Sequence, residues 1–217
     1  NLLKLSTLSY REGFYYKPRM DKEILSTYHE GIVALSGCPN SEFAHACRAG
    51  NNEKALAVAG ELRDIFGKDH FFLEIQSHGL EDEGKIAKGA FDASRKLGLK
   101  VAATNDVHYI QKEDFRAHDA LLCISTGKLV SDTDRLNYKT AEFYIKSAQE
   151  MAHLFRECPE ALATTVEVAD RCNLELTFNE IHLPQFDPPS GKTQREYLHE
   201  LCEVGLRRRF PEITPAI

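Results

Sequence analysis

Two side chains placed two residues apart, Asp106 and His108, have the types and spacing that metal chemistry requires. In extended backbone such side chains point to the same side, so a carboxylate oxygen and an imidazole nitrogen can share one metal ion. A lone pair of this kind is frequent by chance, and most such pairs face solvent or cap a turn. The pair therefore gains weight only from the residues that lie near it.

Two further candidates follow other short apolar runs, Cys38 after residues 32–36 and His78 after residues 71–76. If these runs and the one at 101–104 are parallel neighbouring strands, the candidates gather at one mouth of the sheet. Thiolate, imidazole and carboxylate together suit zinc, or a mixed set with manganese or iron. The alternative for the cysteine is a small buried thiol under a glycine turn, and for His78 a loop histidine bonded to a backbone carbonyl.

Hydrolysis of phosphoesters is the reaction that clustered metals serve best, because a metal lowers the pKa of bound water. The residues alone predict a metallohydrolase half-site. Other candidates are weaker, since His118 and Asp119 are expected to lie solvated on a helix. The sequence contains no Ser/His/Asp arrangement, Walker loop or dinucleotide glycine fingerprint.

The elements that position these residues follow one repeating order between residues 30 and 125. A short apolar run, a polar loop and an amphipathic helix recur, which indicates an α/β fold with βα units on a parallel sheet or barrel. Helices are predicted at 52–66 and 81–97, from apolar residues spaced three and four apart. The second is expected to close at Gly98.

Beyond residue 125 the pattern changes to helices and loops. Capping boxes are predicted to start helices at Ser147 and Thr193, and Pro159 suits a first helical turn. Residues 178–192 contain three prolines and a glycine, which predicts a linker. The sequence begins without Met, inside an apparent helix, so we expect a piece excised from a larger protein.

Composition excludes several classes of protein. The 217 residues carry 27 basic and 33 acidic side chains, a net charge of −6, so any DNA contact must be local or belong to another segment. Apolar runs fall far short of the roughly 18 residues that span a membrane, so no membrane partner is expected. Six scattered cysteines without a secretion signal predict reduced thiols and a cytoplasmic location.

Several longer motifs make the sequence similar to the bacterial DNA polymerase III alpha subunits. They are residues 1–6 (NLLKLS), 12–19 (EGFYYKPR), 35–38 (LSGC), 103–109 (ATNDVHY), 121–128 (LLCISTGK), 143–146 (FYIK) and 205–209 (GLRRR). The resemblance runs over nearly the whole chain. It implies the C-terminal part of a polymerase-and-histidinol-phosphatase (PHP) domain at 1–175, a linker at 176–192 and the start of a polymerase palm at 193–217.

The implied fold is a partial, distorted β/α barrel of the PHP type, followed by a helical segment that leads into the palm. By resemblance Asp106 and His108 match the final Asp-x-His metal ligands, and Cys38 matches a position where relatives carry Cys or His. His78 matches no ligand position, and we expect it and Asn105 to face substrate. Zinc or manganese is the implied metal. Further ligands would precede Asn1.

The implied function is DNA-templated DNA synthesis by the parent enzyme, a nucleotidyltransferase. Its magnesium-binding palm aspartates lie outside these residues, so the chain holds no polymerase catalytic residue and is expected to be inactive alone. The implied partners are primer-template DNA, deoxynucleotides, the proofreading exonuclease subunit and the sliding clamp. The PHP portion contributes either to a metal-dependent 3′–5′ exonuclease site or, alternatively, to a structural platform that docks the proofreading subunit.

Overall fold

The computed structural model describes residues 1–37, 39–181, 183–210 and 212. Contacts divide the chain into two compact units, Asn1–Asn173 and Leu174–Ile217. Among the described residues, no helix combines the length and the apolar character needed to cross a bilayer. The assignment of 1–175, 176–192 and 193–217 to a PHP part, a linker and a palm stays a prediction.

Three parallel strands form the sheet in the described part of the chain, in the order β1 (Ala34–Leu35), β2 (Phe71–Ile75) and β3 (Val101–Ala103). Ala34 pairs with Phe71 and Leu73 pairs with Val101. The prediction of parallel neighbouring strands is confirmed, although each strand is shorter than its apolar run. The partial, distorted barrel and the palm stay predictions.

Eight α-helices occur in the described residues of the first unit: α1 (Leu2–Arg11), α2 (Lys22–Tyr28), α3 (Glu42–Arg48), α4 (Asn52–Phe66), α5 (Glu83–Leu97), α6 (Phe115–Thr126), α7 (Ala148–Leu154) and α8 (Pro159–Arg171). The predicted range of α4 is confirmed residue for residue, and α5 begins two residues later than expected. Gly98 closes α5 at φ 67°, a left-handed conformation that glycine adopts without steric cost.

Local capping explains where the later helices start. The predicted capping box before α7 is present, with the Ser147 hydroxyl accepting from the Glu150 amide and the Glu150 carboxylate accepting from the Ser147 amide. Pro159 occupies the first turn of α8, where its missing N–H is not needed. These local signals fix the starts of helices that contribute few buried side chains.

The main hydrophobic cluster lies on one face of the sheet, and Phe72 and Ala102 are buried on the other face. Alternate residues of β2 and β3 point to this cluster and are buried against the helices that follow them; they are Phe71, Leu73, Ile75, Val101 and Ala103. Helix α5 packs closely on α3 at Gly89, where a Cβ atom would lie 2.3 Å from the sulfur of Cys47. A larger residue at this crossing must displace the Cys47 side chain.

The second unit contains one helix within its described residues, α9 (Gln194–Arg209). The predicted capping box is present, since the Thr193 hydroxyl accepts from the Glu196 amide and the Glu196 carboxylate accepts from the Thr193 amide. Before it, residues 183–188 form neither helix nor strand, and a 3-10 turn follows at Pro189–Gly191. The Phe186 and Tyr197 rings stack with centroids 5.8 Å apart.

Candidate functional site

The carboxyl ends of the strands carry linked polar side chains, and those of Glu74 and Gln76 alternate with the core-facing residues of β2. The Ser36 hydroxyl accepts from the Glu74 amide at 2.9 Å, which ties β1 to β2. Thr104 and Gln76 both donate to one Glu74 carboxylate oxygen, at 2.5 and 3.1 Å. Since the strands are parallel, these groups converge at one edge of the sheet.

Asp106 and His108 lie just beyond this edge, in the loop after β3. An Asp106 carboxylate oxygen approaches the His108 Nε2 to 3.5 Å, and the two side chains are 35% and 30% exposed. The convergence does not arise from extended backbone as predicted, because Asp106 has φ 43°. A left-handed residue, a conformation that aspartate tolerates better than most, brings the two groups together.

His78 lies under this loop and is almost fully buried. Its Nδ1 lies 2.7 Å from the Glu83 carboxylate and its Nε2 lies 2.8 Å from the Asn105 carbonyl oxygen. The ring also stacks on Phe143, with centroids 4.1 Å apart. Of the two interpretations that the sequence left open, the structure contains the hydrogen-bonded loop histidine, and both ring nitrogens are engaged.

Glu83, in the first turn of α5, accepts hydrogen bonds from the loop that follows β2. Besides the His78 ring, its carboxylate accepts from the His78 and Leu80 backbone amides at distances of 2.8 to 3.0 Å. Burial alone raises the pKa of the Glu83 carboxyl, but these hydrogen bonds together lower it below its usual value. Sequence reasoning missed this residue; its position five residues after a strand-end histidine was the available signal.

Asn105 is held from two sides rather than left free. Its amide nitrogen donates to the Tyr144 carbonyl at 2.6 Å, and its amide oxygen accepts from Lys146 at 3.0 Å. The Lys146 side chain is only 2% exposed and also contacts Glu142. The predicted substrate-facing role of His78 and Asn105 stays a prediction, and in this arrangement their polar atoms orient the loop that carries Asp106.

Residues 142–146, which accept and donate the Asn105 hydrogen bonds, are themselves held by a hydrogen bond and an ion pair. Tyr144 donates its hydroxyl to Glu150 at 2.6 Å, which raises the pKa of Tyr144 to about 12 and lowers that of Glu150 to about 2. Lys112 donates to Glu142 at 2.5 Å and lowers the pKa of that carboxyl. The loop after β3 is thus braced by His78 on one side and residues 142–146 on the other.

His118 corrects one expectation, because it is only partly exposed. Its ring lies 5.4 Å from the His108 ring and 5.2 Å from the Tyr138 ring, measured between centroids, and its buried Nδ1 has no hydrogen-bond partner among the described residues. Burial, and then the nearby His108, lower its pKa. Asp119 forms a two-point ion pair with Arg135. Helical periodicity alone did not reveal that this face of α6 packs on the loop.

Asp106 and His108 open into a cleft of about 880 Å³. Its walls include His78, Tyr138 and two basic side chains, Arg48 from α3 and Lys139 from the loop before Phe143. Within the described residues, no group of three or more His, Cys, Asp or Glu side chains is placed to hold a metal. Cys38 lies outside those residues, so its membership of the site stays a prediction.

Two donors fit part of a metal site and not a complete one. A carboxylate oxygen and an imidazole nitrogen 3.5 Å apart, both partly exposed, match the donor chemistry of zinc or manganese. The Tyr138 hydroxyl is hydrogen-bonded to the same nitrogen, at 3.3 Å from the His108 Nε2. A metal bound here would require further ligands beyond this pair.

Comparison with known proteins finds the PHP domain family over residues 1–78. The chain is 40% identical over 218 residues to DNA polymerase III subunit alpha of Treponema pallidum, and 41% identical over 219 residues to that of Borreliella burgdorferi. The Thermus aquaticus subunit is 40% identical over 223 residues. Each alignment covers 100% of this chain but only 18% or 19% of the relative, so the chain spans about a fifth of their length.

Proposed function

We propose that the site at the strand edge takes part in metal-dependent phosphodiester hydrolysis. The premise is that the whole chain corresponds to one segment of DNA polymerase III alpha subunits, and that residues 1–78 match the PHP domain family. The reaction would be 3′–5′ removal of nucleotides from a DNA end. The observation that carries this proposal is the approach of Asp106 to His108 at the mouth of a cleft.

Asp106 and His108 are the described residues that would hold the metal, and Cys38 is a third candidate. Zinc or manganese, when bound, supplies the Lewis acidity that activates water and offsets phosphate charge. Two basic side chains, Arg48 and Lys139, line the same cleft together with four carboxylates, Glu81, Asp82, Glu83 and Asp106, so a bound metal would supply much of the positive charge that an anionic substrate needs. The chain itself contributes two described candidate ligands, two basic side chains in the cleft and a braced loop.

Precise placement of the ligands depends on the residues beneath them. His78 holds the Asn105 carbonyl and Lys146 holds the Asn105 side chain, so the residue that precedes Asp106 is fixed at both its backbone and its amide. Outer groups of this kind typically change metal affinity or activity by about 10- to 100-fold when removed. They would act as positioning residues.

The parent enzyme would carry out DNA-templated DNA synthesis with magnesium held by palm aspartates elsewhere in its sequence. Its partners would be primer-template DNA, deoxynucleotides, a proofreading exonuclease subunit and a sliding clamp. The 217-residue chain alone is expected to extend no primer. Hydrolysis by the isolated chain is expected to be weak or absent, because its ligand set is incomplete.

A second candidate function is a structural platform that supports the polymerase and docks the proofreading subunit. It is favoured by the full engagement of His78 and Asn105 in hydrogen bonds, which brace the loop. In that case the same loop would hold a structural metal, or no metal.

The test compares metal content and exonuclease activity in the full-length subunit, with Asp106→Asn and His108→Ala as variants. For the hydrolytic function, we expect the wild type to contain stoichiometric zinc or manganese and to release nucleotides from a 3′ end. In the variants we expect the metal to be lost and the rate to fall by at least the roughly 100-fold that removal of an outer group can cause. Asp134→Asn, an exposed aspartate outside the cleft, is the matched control.

The alternatives give different results. If the wild type binds metal and the variants do not, but none of the proteins hydrolyses DNA, the structural platform would be favoured. Hydrolysis that persists in both variants would remove Asp106 and His108 from the mechanism. Primer extension by the isolated chain would contradict the placement of the polymerase site outside it.

A further inference from the structure

Four aromatic side chains stand exposed where α1 ends and the chain turns toward α2. Tyr10, Phe14, Tyr15 and Tyr16 are 61%, 57%, 62% and 83% exposed. We call residues 10–19 the aromatic turn. Single exposed apolar residues are ordinary, but four neighbouring rings on one turn form a patch of the kind that marks an interaction site.

The turn is held in one shape. At Gly13 a Cβ atom would lie 2.0 Å from the Arg19 carbonyl oxygen, so the chain closes tightly on itself there. The Arg19 guanidinium donates to the Tyr15 carbonyl at 3.0 Å and lies 4.8 Å from the centre of the Tyr15 ring. The rings are therefore presented by an ordered turn.

Tyr16 is strained as well as exposed. Its φ is 58°, a left-handed conformation that a residue with a Cβ atom adopts at a cost in free energy. With 83% of the residue exposed, burial does not offset that cost. Such strain concentrates at functional positions, and here its effect is to hold a flat ring toward solvent.

The charge of the turn selects the partner. Residues 10–19 contain Arg11, Lys17 and Arg19 against Glu12, a net of +2 from three basic and one acidic side chain, in a chain whose net charge is −6. We propose that the aromatic turn binds single-stranded nucleic acid, with bases stacked on the rings and phosphates beside the basic side chains. Duplex DNA, whose base faces are already stacked, offers the rings no partner.

This inference goes beyond the hydrolytic function and does not depend on it. None of Tyr10, Phe14, Tyr16 or Lys17 lines the cleft of Asp106 and His108. Binding by the turn requires no metal, so it can be measured in EDTA, where any metal site is empty. Failure of one proposal therefore leaves the other standing.

The experiment measures fluorescence anisotropy of a labelled 20-nucleotide oligothymidylate with the whole 217-residue chain in EDTA at low salt. Phe14→Ala and Tyr16→Gly remove rings, and each is expected to raise Kd roughly tenfold, the loss of one stacked base. Because glycine suits a positive φ, Tyr16→Gly should keep or raise the melting temperature, which separates lost binding from lost folding. Lys17→Glu should reduce the salt dependence of log Kd by about 0.7 per phosphate contact.

Matched controls carry the same changes elsewhere. Phe178→Ala removes an aromatic side chain that is 76% exposed, and Lys68→Glu reverses an exposed charge; both should leave Kd within twofold. Equal Kd values for the wild type, Phe14→Ala and Tyr16→Gly would overturn the proposal, as would no binding by the wild type or equal affinity for duplex. Self-association that Tyr16→Gly abolishes, without oligonucleotide binding, would assign the surface to protein contacts and overturn it too.

Discussion

Phe71 and Glu74 lie three residues apart in β2 but on opposite faces, and different forces hold their surroundings. On the helix-covered face, Phe71 and Leu73 are fully buried among apolar side chains. On the other face, Glu74 is half-buried and joined to Thr104 and Gln76 by hydrogen bonds. Burial of apolar area is non-directional, whereas hydrogen bonds fix orientation. The core face therefore supplies stability, and the strand edge with its loops supplies geometry.

The largest expected effect is on the core face. Phe71→Ala removes a ring that is 0% exposed in the central strand, and we expect the free energy of unfolding to fall by about 3 to 5 kcal/mol. Urea denaturation followed by circular dichroism measures it. Phe178→Ala, at an exposed ring, should change stability by less than about 0.5 kcal/mol. Similar losses in the two variants would break the comparison.

The next largest effect is expected at the strand edge. Glu83→Gln removes the negative charge that accepts hydrogen bonds from the His78 and Leu80 backbone amides and from the His78 ring. We expect a loss of about 1.5 to 3 kcal/mol at neutral pH, the usual worth of hydrogen bonds to a charged group. Glu81→Gln, two residues earlier and exposed, is the matched control and should be nearly neutral.

The same variant gives a pH test whose sign follows from linkage. Because the folded pKa of Glu83 is lowered, its contribution is fully present above the unfolded value of about 4.3 and is lost as pH falls through the folded value. The gap in unfolding free energy between wild type and Glu83→Gln should therefore narrow below about pH 4.3. A gap that widens on acidification would show that the carboxylate is not what stabilises the loop.

A smaller effect on the core side tests close packing. In Gly89→Ala the new methyl group meets Cys47 at 2.3 Å, so we expect a loss of about 1 to 2 kcal/mol despite the better helix propensity of alanine. Gly60→Ala, in α4 with open space at the corresponding point, should gain up to about 1 kcal/mol. Adding Cys47→Ala to Gly89→Ala should recover much of the loss; no recovery would place the clash elsewhere.

The helix-covered core and the strand edge with its loops also differ in how far the sequence predicts them. Helix α4 and the capping boxes at Ser147 and Thr193 follow from spacing and local hydrogen bonding, and the parallel pairing of the strands follows from the repeated order of apolar run, loop and helix. A single sequence records both patterns. The left-handed backbone of Asp106 and the packing of His118 beside Tyr138 do not follow from such patterns. Both depend on segments that meet the loop from distant parts of the chain, so no local pattern encodes them.

The smallest expected effect on stability is at the predicted metal ligands themselves. Asp106 and His108 are about one-third exposed and 3.5 Å apart, an arrangement in which an ion pair contributes little to folding. Asn tolerates the φ of 43° at this position, so Asp106→Asn changes the charge without adding backbone strain. We expect the free energy of unfolding of the metal-free chain to stay within about 0.5 kcal/mol of wild type for Asp106→Asn and for Asp134→Asn alike.

Nearly equal unfolding free energies for Asp106→Asn and wild type would sharpen the comparison. They would show that His78, Glu83 and Lys146 determine the shape of the loop, and that Asp106 and His108 do not. A carboxylate that contributes little to folding, yet is held beside His108 by a buried hydrogen-bond network, is positioned for binding. A loss above about 2 kcal/mol in metal-free Asp106→Asn would instead make the pair part of the loop's own support, and the platform would become the better account of this site.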